Sequence, residues 1–328
     1  MKKLVPIRIM ISLAISWFAG AAHADDSQVQ ALFDAVHKDD AAAVAKAISD
    51  GAQPNSRDKL GDTPLVVAAR EGKDYAVQAL LKANAKPDLR STYGKSPLIE
   101  AAANGKIKTV QTLLTKVKVD SSDSEGTTVL IAAATKGDIP IVQLALDRGA
   151  KIDQPDITGA TALMRAAGVG RTNVMKLLME RHTDQKRLDR YGRTALFYAA
   201  VDARIEATKM LLDAGFDARI RDRDGLNPFQ AVIDSLTAES TVRIDDRITV
   251  LKILQERSGI NARDAAGRSP LIIASERGIA PIVKYLISEK AEVNARDKSG
   301  RTALDWAEVK MRDEVIALLK QSGAISGG

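Results

Sequence analysis

The stretch GDTPLVVAAREG, residues Gly61–Gly72, decides the fold because its opening pattern recurs along the 328-residue chain. A glycine, any residue, a hydroxyl or amide side chain and, two positions later, a leucine or phenylalanine occur together eight times. The glycines of this pattern are Gly61, Gly94, Gly126, Gly159, Gly192, Gly225, Gly267 and Gly300, separated by 33, 32, 33, 33, 33, 42 and 33 residues. Self-similarity at a fixed period of this size is typical of repeat architectures, so we interpret the stretch as part of a structural unit and not as a reactive site.

Other residues recur at fixed offsets from the glycine, and each suits one element of local structure. An acid three residues earlier, such as Asp58, favours a β-turn that ends at the glycine. Thr63 and its equivalents are good helix N-caps, and a proline such as Pro64 often follows at the first helical position. A loop glycine and then apolar residues at helical spacing follow. Each unit is therefore predicted to contain a β-turn, a short helix, a tight loop and a longer helix.

The period and the Thr-Pro-Leu sequence at Thr63–Leu65 resemble ankyrin repeats, and the likeness covers residues 26–324. It implies an all-α ankyrin-repeat solenoid of helix-turn-helix units with short β-turn or hairpin connections. The histidine of the family motif is replaced in every unit, so we expect apolar packing at most of these positions. The replacements are Val66, Ile99, Ile131, Met164, Phe197, Gln230, Ile272 and Asp305.

The N-terminal residues have the features of a secretory signal peptide. Three basic residues precede an apolar run from Ile9 to about Ala22, and Ala22-His23-Ala24 gives the small-x-small pattern of a cleavage site. The run is shorter than the roughly 20 residues needed to span a bilayer. We therefore predict cleavage after Ala24, no membrane insertion afterwards, and a location in the bacterial periplasm, with secretion as the alternative.

Four segments are predicted. They are the signal peptide (1–24), an N-terminal capping repeat (25–60), seven inner repeats (61–299) and a C-terminal capping repeat (300–328). The interval of 42 residues places an insertion near 235–246. Insertions in repeat proteins often bind partners, whereas an exposed extension costs little stability and needs no function. Both interpretations stay open.

The composition offers little for catalysis. The chain has no cysteine, and only His37 and His182 follow the predicted cleavage site. They lie several repeats apart, so neither a histidine metal site nor a Cys–His nucleophile is expected. No glycine-rich phosphate loop of standard spacing occurs. We predict no enzymatic activity, no cofactor and no metal.

Net charge also argues against a nucleic-acid partner. The predicted signal peptide carries three of the 48 basic residues and no acidic one, which leaves 45 basic residues against 42 acidic ones. A chain so nearly balanced differs from the strongly basic domains that bind nucleic acid. No nucleic acid is expected as a partner.

The turn tips differ from repeat to repeat while the framework stays constant, as expected if the tips make the contacts. The resemblance implies binding of another protein through the turn tips and the concave face of the first helices. Tyrosine and arginine often anchor interfaces. The C-terminal half has an arginine stripe, which comprises Arg190, Arg193, Arg221, Arg223, Arg268, Arg277 and Arg301. Such a stripe suits an acidic partner, although arginines also simply keep a surface soluble. The candidate residues are Tyr93, Lys95, Arg190, Tyr191, Arg193, Arg223, Arg268, Arg277 and Arg301.

These features predict a non-catalytic protein-binding scaffold in the cell envelope. One specific form is a guard, immunity or assembly factor for another exported protein. The alternative is a binder of an anionic polymer or nucleic acid through the arginine stripe. A salt titration separates the two, because polymer binding weakens steeply with salt.

Overall fold

The computed structural model describes residues 26–239 and 243–327, in which 18 helices follow one another in consecutive pairs. The helices are α1 (Asp26–His37), α2 (Ala41–Ser49), α3 (Pro64–Glu71), α4 (Asp74–Lys82), α5 (Pro97–Ala103), α6 (Ile107–Leu113), α7 (Val129–Lys136), α8 (Ile139–Asp147), α9 (Ala162–Val169), α10 (Thr172–Glu180), α11 (Ala195–Val201), α12 (Ile205–Asp213), α13 (Pro228–Asp234), α14 (Ile244–Ser258), α15 (Pro270–Arg277), α16 (Ala280–Ser288), α17 (Ala303–Val309) and α18 (Asp313–Gln321). The predicted all-α fold is confirmed. The predicted signal peptide lies outside the described residues.

The chain divides into two compact units. Among the described residues, the first unit comprises 26–101 and 108–117, and the second comprises 102–107, 118–239 and 243–327. Leu65 and Leu80 are fully buried in the first unit, as are Leu196 and Phe229 in the second. Because each helix pair is too thin to enclose such side chains alone, the core forms between stacked pairs.

The repeats from Asp58 onward begin with the predicted β-turn, which an aspartate, or Ser91 in one repeat, holds closed. In the turn at Asp156, the Gly159 backbone N–H donates to the Asp156 carbonyl at 2.9 Å. The Asp156 carboxylate accepts from the backbone N–H groups of Thr158 (2.8 Å) and Ala160 (3.1 Å) through Oδ1. Gly159 has a φ of +86°, and a Cβ there would lie 2.6 Å from the Arg190 nitrogen of the next turn. Only glycine suits this position.

Neighbouring turns in the second unit are also joined by backbone hydrogen bonds. The Arg190 N–H donates to Thr158 O at 2.9 Å, and the Arg223 N–H donates to Tyr191 O at 2.9 Å. These bonds fix the separation of successive tips.

The first helices begin at the predicted N-caps, with one exception. The Thr63 hydroxyl accepts from Val66 N at 3.2 Å, whereas the Thr194 hydroxyl makes no capping bond and is buried without a partner among the described residues. At the positions of the family histidine, the six apolar replacements are buried. Gln230 and Asp305 instead complete capping boxes.

The longer interval produces a longer second helix. α14 has 15 residues, whereas α12 has nine. Its early start carries Arg243 and Arg247 onto the preceding repeat, where they donate to Ala203 O (2.9 Å) and Val201 O (2.7 Å). The last carbonyls of a helix lack partners within the helix, so these arginines satisfy the end of α11. Residues 240–242 of the predicted insertion lie outside the described residues.

Candidate protein-binding surface

The predicted contact residues lie on turn tips in both units, and their exposure differs. In the first unit, Tyr93 is 72% exposed and Lys95 is half-buried. In the second unit, Tyr191 is 56% exposed, and Arg190 and Arg223 are also exposed. The last three share two adjacent tips that the Arg223–Tyr191 backbone bond holds together. We define Arg190, Tyr191 and Arg223 as the tip cluster.

Arg193 lies beside the tip cluster and is partly neutralised. Its guanidinium carbon is 5.4 Å from the centre of the Tyr191 ring, within the range of a cation–π contact. Its Nε lies 3.4 Å from Oδ2 of Asp222. Arg193 therefore supports the Tyr191 ring from one side.

Two other predicted arginines are held by carboxylates of the same chain. Arg268 donates to Asp264 Oδ2 (2.8 Å) and to Glu276 Oε2 (2.7 Å), and its side chain is only 24% exposed. Burial disfavours the charged form of Arg268 and acts to lower its pKa. The hydrogen bonds to Asp264 and Glu276 outweigh burial, so the pKa of Arg268 is raised. Arg277 similarly contacts Asp234 Oδ1 at 2.7 Å. Much of the charge of the arginine stripe is thus balanced within the chain.

Arg301 makes a different contact in the last repeat. Its guanidinium carbon lies 4.8 Å from the centre of the Trp306 ring, and its side chain stays exposed. The indole Nε1 of Trp306 donates to Asp297 Oδ2 at 2.7 Å, which fixes the ring.

Two residues that the sequence analysis did not select, Arg165 and Tyr198, contribute to the same surface. Arg165 Nε donates to Asp156 Oδ2 at 2.9 Å, and the Tyr198 hydroxyl donates to Asp189 Oδ2 at 2.8 Å. Both occupy the same position of the first helix, where Ala132 stands in the preceding repeat. This position varies between repeats, from Ala132 and Ala231 to Glu100 and Trp306, and that variation was the available signal.

Tips and first helices line an open cavity of about 300 Å³ in the second unit. Its lining comprises Thr158, Arg165, Asp189, Tyr191, Arg193, Phe197, Tyr198, Val201 and Asp202. Burial, together with the Asp189 carboxylate, raises the pKa of Tyr198. We call this cavity the tyrosine pocket.

The repeat pattern, the turn geometry and the paired helices match a known family. The model of the family described as Ankyrin repeats (3 copies) matches residues 32–123, 75–156, 101–186, 129–224 and 241–326. The chain belongs to the ankyrin-repeat family. The predicted fold class, an all-α ankyrin-repeat solenoid, is confirmed. No curated protein matches the chain.

Ankyrin repeats generally mediate protein–protein interaction, and proteins built from them are typically non-catalytic binding scaffolds. Within residues 26–239 and 243–327, no group of three His, Asp or Glu side chains is placed to hold a metal ion. Across the same part of the chain, no helix has both the length and the apolar character that a membrane crossing requires.

Proposed function

We propose that this ankyrin-repeat chain is a non-catalytic scaffold that binds another protein through its turn tips and first helices. The observation that carries the proposal is the tip cluster. Arg190, Tyr191 and Arg223 are exposed, of the residue types that anchor interfaces, and attached to turns fixed by backbone hydrogen bonds. Side chains on a rigid frame lose little freedom on binding, which favours affinity. Tyr93 and Lys95 in the first unit are the corresponding candidates there.

The partner we propose is another exported protein with an acidic surface. Among the described residues, the side chains of Arg190 and Arg223 make no ion pair, so both charges remain for a partner. Arg193, Arg268 and Arg277 already contact carboxylates. Part of the predicted set of arginines, namely Arg190, Arg223 and Arg301 of the last repeat, therefore keeps an unpaired charge among the described residues. So few unpaired charges favour a specific protein contact over an anionic polymer.

The proposed location is the bacterial periplasm, after removal of residues 1–24. The basic start, the apolar run and the Ala22-His23-Ala24 sequence support export. In the periplasm the scaffold would act as a guard, immunity or assembly factor for a second exported protein. Cell fractionation with N-terminal sequencing tests this part, and a cytoplasmic protein that retains Met1 would contradict it.

Site-specific photo-crosslinking tests the binding surface. A photoreactive residue replaces Tyr191 on the tip or, as control, Tyr75, which is 66% exposed on the second helix of its pair. We expect one crosslinked envelope protein with the probe at 191 and none with the probe at 75. Equal crosslinking at both positions would contradict the proposal.

A charge-reversal variant provides an independent test. Arg190→Glu, Tyr191→Ala and Arg193→Glu together should abolish capture of the crosslinked protein. The matched control combines Tyr75→Ala, Lys209→Glu and Lys252→Glu, three exposed residues on second helices. Capture should also fall with salt, but less steeply than for a polymer bound through many phosphates. Unchanged capture by the tip variant would remove the tips from the binding surface.

A further inference from the structure

The tyrosine pocket has aromatic walls and a charged rim. The rings of Tyr191 and Tyr198 contribute to its lining, together with the buried Phe197. Its volume of about 300 Å³ lies at the small end of the range for ligand sites. A pocket of this size suits one large side chain of a partner protein.

Most polar groups of the pocket are already satisfied within the chain. Arg165 is held by Asp156 through two nitrogens, at 2.9 and 2.5 Å. Asp189 accepts from the Tyr198 hydroxyl through Oδ2 and from two backbone N–H groups through Oδ1. The main hydrogen-bonding atoms of Arg165 and Asp189 are therefore already occupied within the chain.

Asp202, at the end of α11, is the exception. Its carboxylate makes no hydrogen bond and no ion pair within 4.0 Å to any described residue. It lies against Gly168, where an added Cβ would come within 3.0 Å of Asp202 Oδ2 and 3.5 Å of the Tyr198 ring. A glycine inside a helix is less stable than alanine, and here it leaves room for the carboxylate beside the ring.

Three arginines surround Asp202 without contacting its carboxylate. Arg204 donates to Gly168 O at 2.8 Å, and Arg243 and Arg247 donate to the Ala203 and Val201 carbonyls. Partial burial raises the pKa of Asp202 even though all three arginines act in the opposite direction. Asp202 is exposed to solvent, so a donor from a partner protein can reach its carboxylate, which no described side chain contacts.

We infer that the tyrosine pocket accepts a basic side chain, arginine or lysine, of the partner protein, whose charged group bonds to Asp202 and lies against the Tyr191 and Tyr198 rings. A charge-assisted hydrogen bond is roughly twice as strong as a neutral one, and a cation over a tyrosine ring adds to it. The inference rests on the proposed function. It adds that the partner, acidic where it meets the tip cluster, presents one cation to the pocket.

Short peptides test the pocket without the natural partner. The probes are Gly/Ser pentapeptides with a central arginine, lysine, norleucine or glutamate, titrated into the full chain at pH 8. The aromatic ring signals of Tyr191 and Tyr198 report binding by NMR. We expect the arginine and lysine peptides to bind about tenfold more tightly than the norleucine peptide, in line with a charge-assisted contact.

Asp202→Asn keeps the shape of the side chain and should remove this tenfold preference. Glu206→Gln, the same charge change on the second helix α12, should leave it intact. Tyr191→Leu provides a second variant, on an exposed tip where folding is not at risk, and should weaken the arginine peptide severalfold.

Equal binding of the norleucine peptide, tighter binding of the glutamate peptide, or an unchanged preference in Asp202→Asn would each overturn the inference. Failure of the pocket is distinguishable from failure of the proposed function. If the peptides show no preference while the tip variant still loses the crosslinked protein, only the pocket is wrong. If the peptides discriminate but crosslinking at 191 and 75 is equal, the pocket stands and the tip assignment fails.

Discussion

The hydroxyl of Tyr198 donates a 2.8 Å hydrogen bond to Oδ2 of Asp189, nine residues earlier in the chain. Trp306 makes the same contact with Asp297, at 2.7 Å and the same separation of nine residues. The other oxygen of each aspartate accepts backbone N–H groups of the turn. One carboxylate therefore fixes both the turn tip and the side chain that faces it, so tip and first helix form one structural element.

Removal of the Tyr198 hydroxyl should weaken this element. Tyr198→Phe is expected to lower the free energy of unfolding by about 1 kcal/mol, the net value of one hydrogen bond. Urea unfolding followed by circular dichroism measures the change. Tyr75→Phe, on an exposed residue, serves as control and should leave stability unchanged. An equal loss in both variants would show that the Asp189 contact contributes nothing.

The raised pKa of Tyr198 predicts that the folded protein loses stability at alkaline pH. Burial, with the nearby Asp189 carboxylate, raises the pKa of Tyr198 above that of an unfolded tyrosine. The folded state therefore binds the proton more tightly, and the resulting stability is present below about pH 10 and is lost as pH rises further. Unfolding free energies between pH 9 and 11 should fall less steeply in Tyr198→Phe than in the wild type. Parallel curves would contradict the assignment.

The C-terminal tail should detach in acid because Asp305 binds it. Burial opposes ionisation of Asp305, but hydrogen bonds from Ser326, Thr302 and Gly327 outweigh it and lower its pKa to about 2. An aspartate with a depressed pKa contributes stability above about pH 4, and this is lost as pH falls towards 2. Hydrogen exchange at the Gly327 N–H, which donates to Asp305, should rise over that interval.

A substitution separates this local effect from general acid unfolding. Asp305→Ala should release the tail at neutral pH, with faster exchange at 324–327 and little change in the second helices. The Ile325 N–H donates to Asn294 Oδ1 at 2.9 Å, much as the Glu292 N–H donates to Asn261 Oδ1 one repeat earlier, at 3.0 Å. A tail that stays protected in Asp305→Ala would show that the Asn294 bond suffices.

Arginines of the stripe should divide into two classes by their effect on stability. Arg268→Ala leaves two carboxylates without their charged donor and should cost about 2 kcal/mol, within the range for hydrogen bonds to charged groups. Arg190→Ala removes an exposed side chain and should change stability by less than about 0.5 kcal/mol. Thermal unfolding of both variants decides this, and equal losses would contradict the division.

The extended start of α14 should stabilise the end of α11. Arg247 donates to Val201 O at 2.7 Å, and partial burial lowers its pKa. Arg247→Met keeps most of the aliphatic stem but removes the donor, so stability should fall by roughly 1–2 kcal/mol. Arg257→Met, on the exposed last turn of the same helix, is the control. If the two variants are equally stable, the contact with α11 is dispensable.

Much of the fold could be predicted from sequence because its determinants are local. The acid and glycine of each turn lie within four residues, and Thr63 caps a helix that starts at the next position. The apolar residues that stand where the family motif has a histidine were expected to pack in the core, and Val66 and Ile272, for example, are buried. Thr194 is an exception, because its hydroxyl is buried and makes no capping bond. Burial of a side chain depends on residues from other repeats, which a rule based on neighbouring sequence positions does not consider.

The candidate surface was predicted less completely because charge depends on partners far along the chain. Tyr191 and Arg190 were selected from their place on a turn tip, and both are exposed. Arg277, chosen as part of a basic stripe, instead meets Asp234, 43 residues earlier. A list of arginines does not reveal which ones are already neutralised.

The sequence by itself determined the repeating unit, since turns, caps and helix lengths follow from residues within a few positions of one another. Only the tertiary structure decided which side chains remain available to a partner. Asp202 and Tyr198 lie beside Gly168 because stacking brings residues about one repeat apart into contact. Coulomb and hydrogen-bond energies depend on those distances through space, and the order of residues along the chain does not contain them.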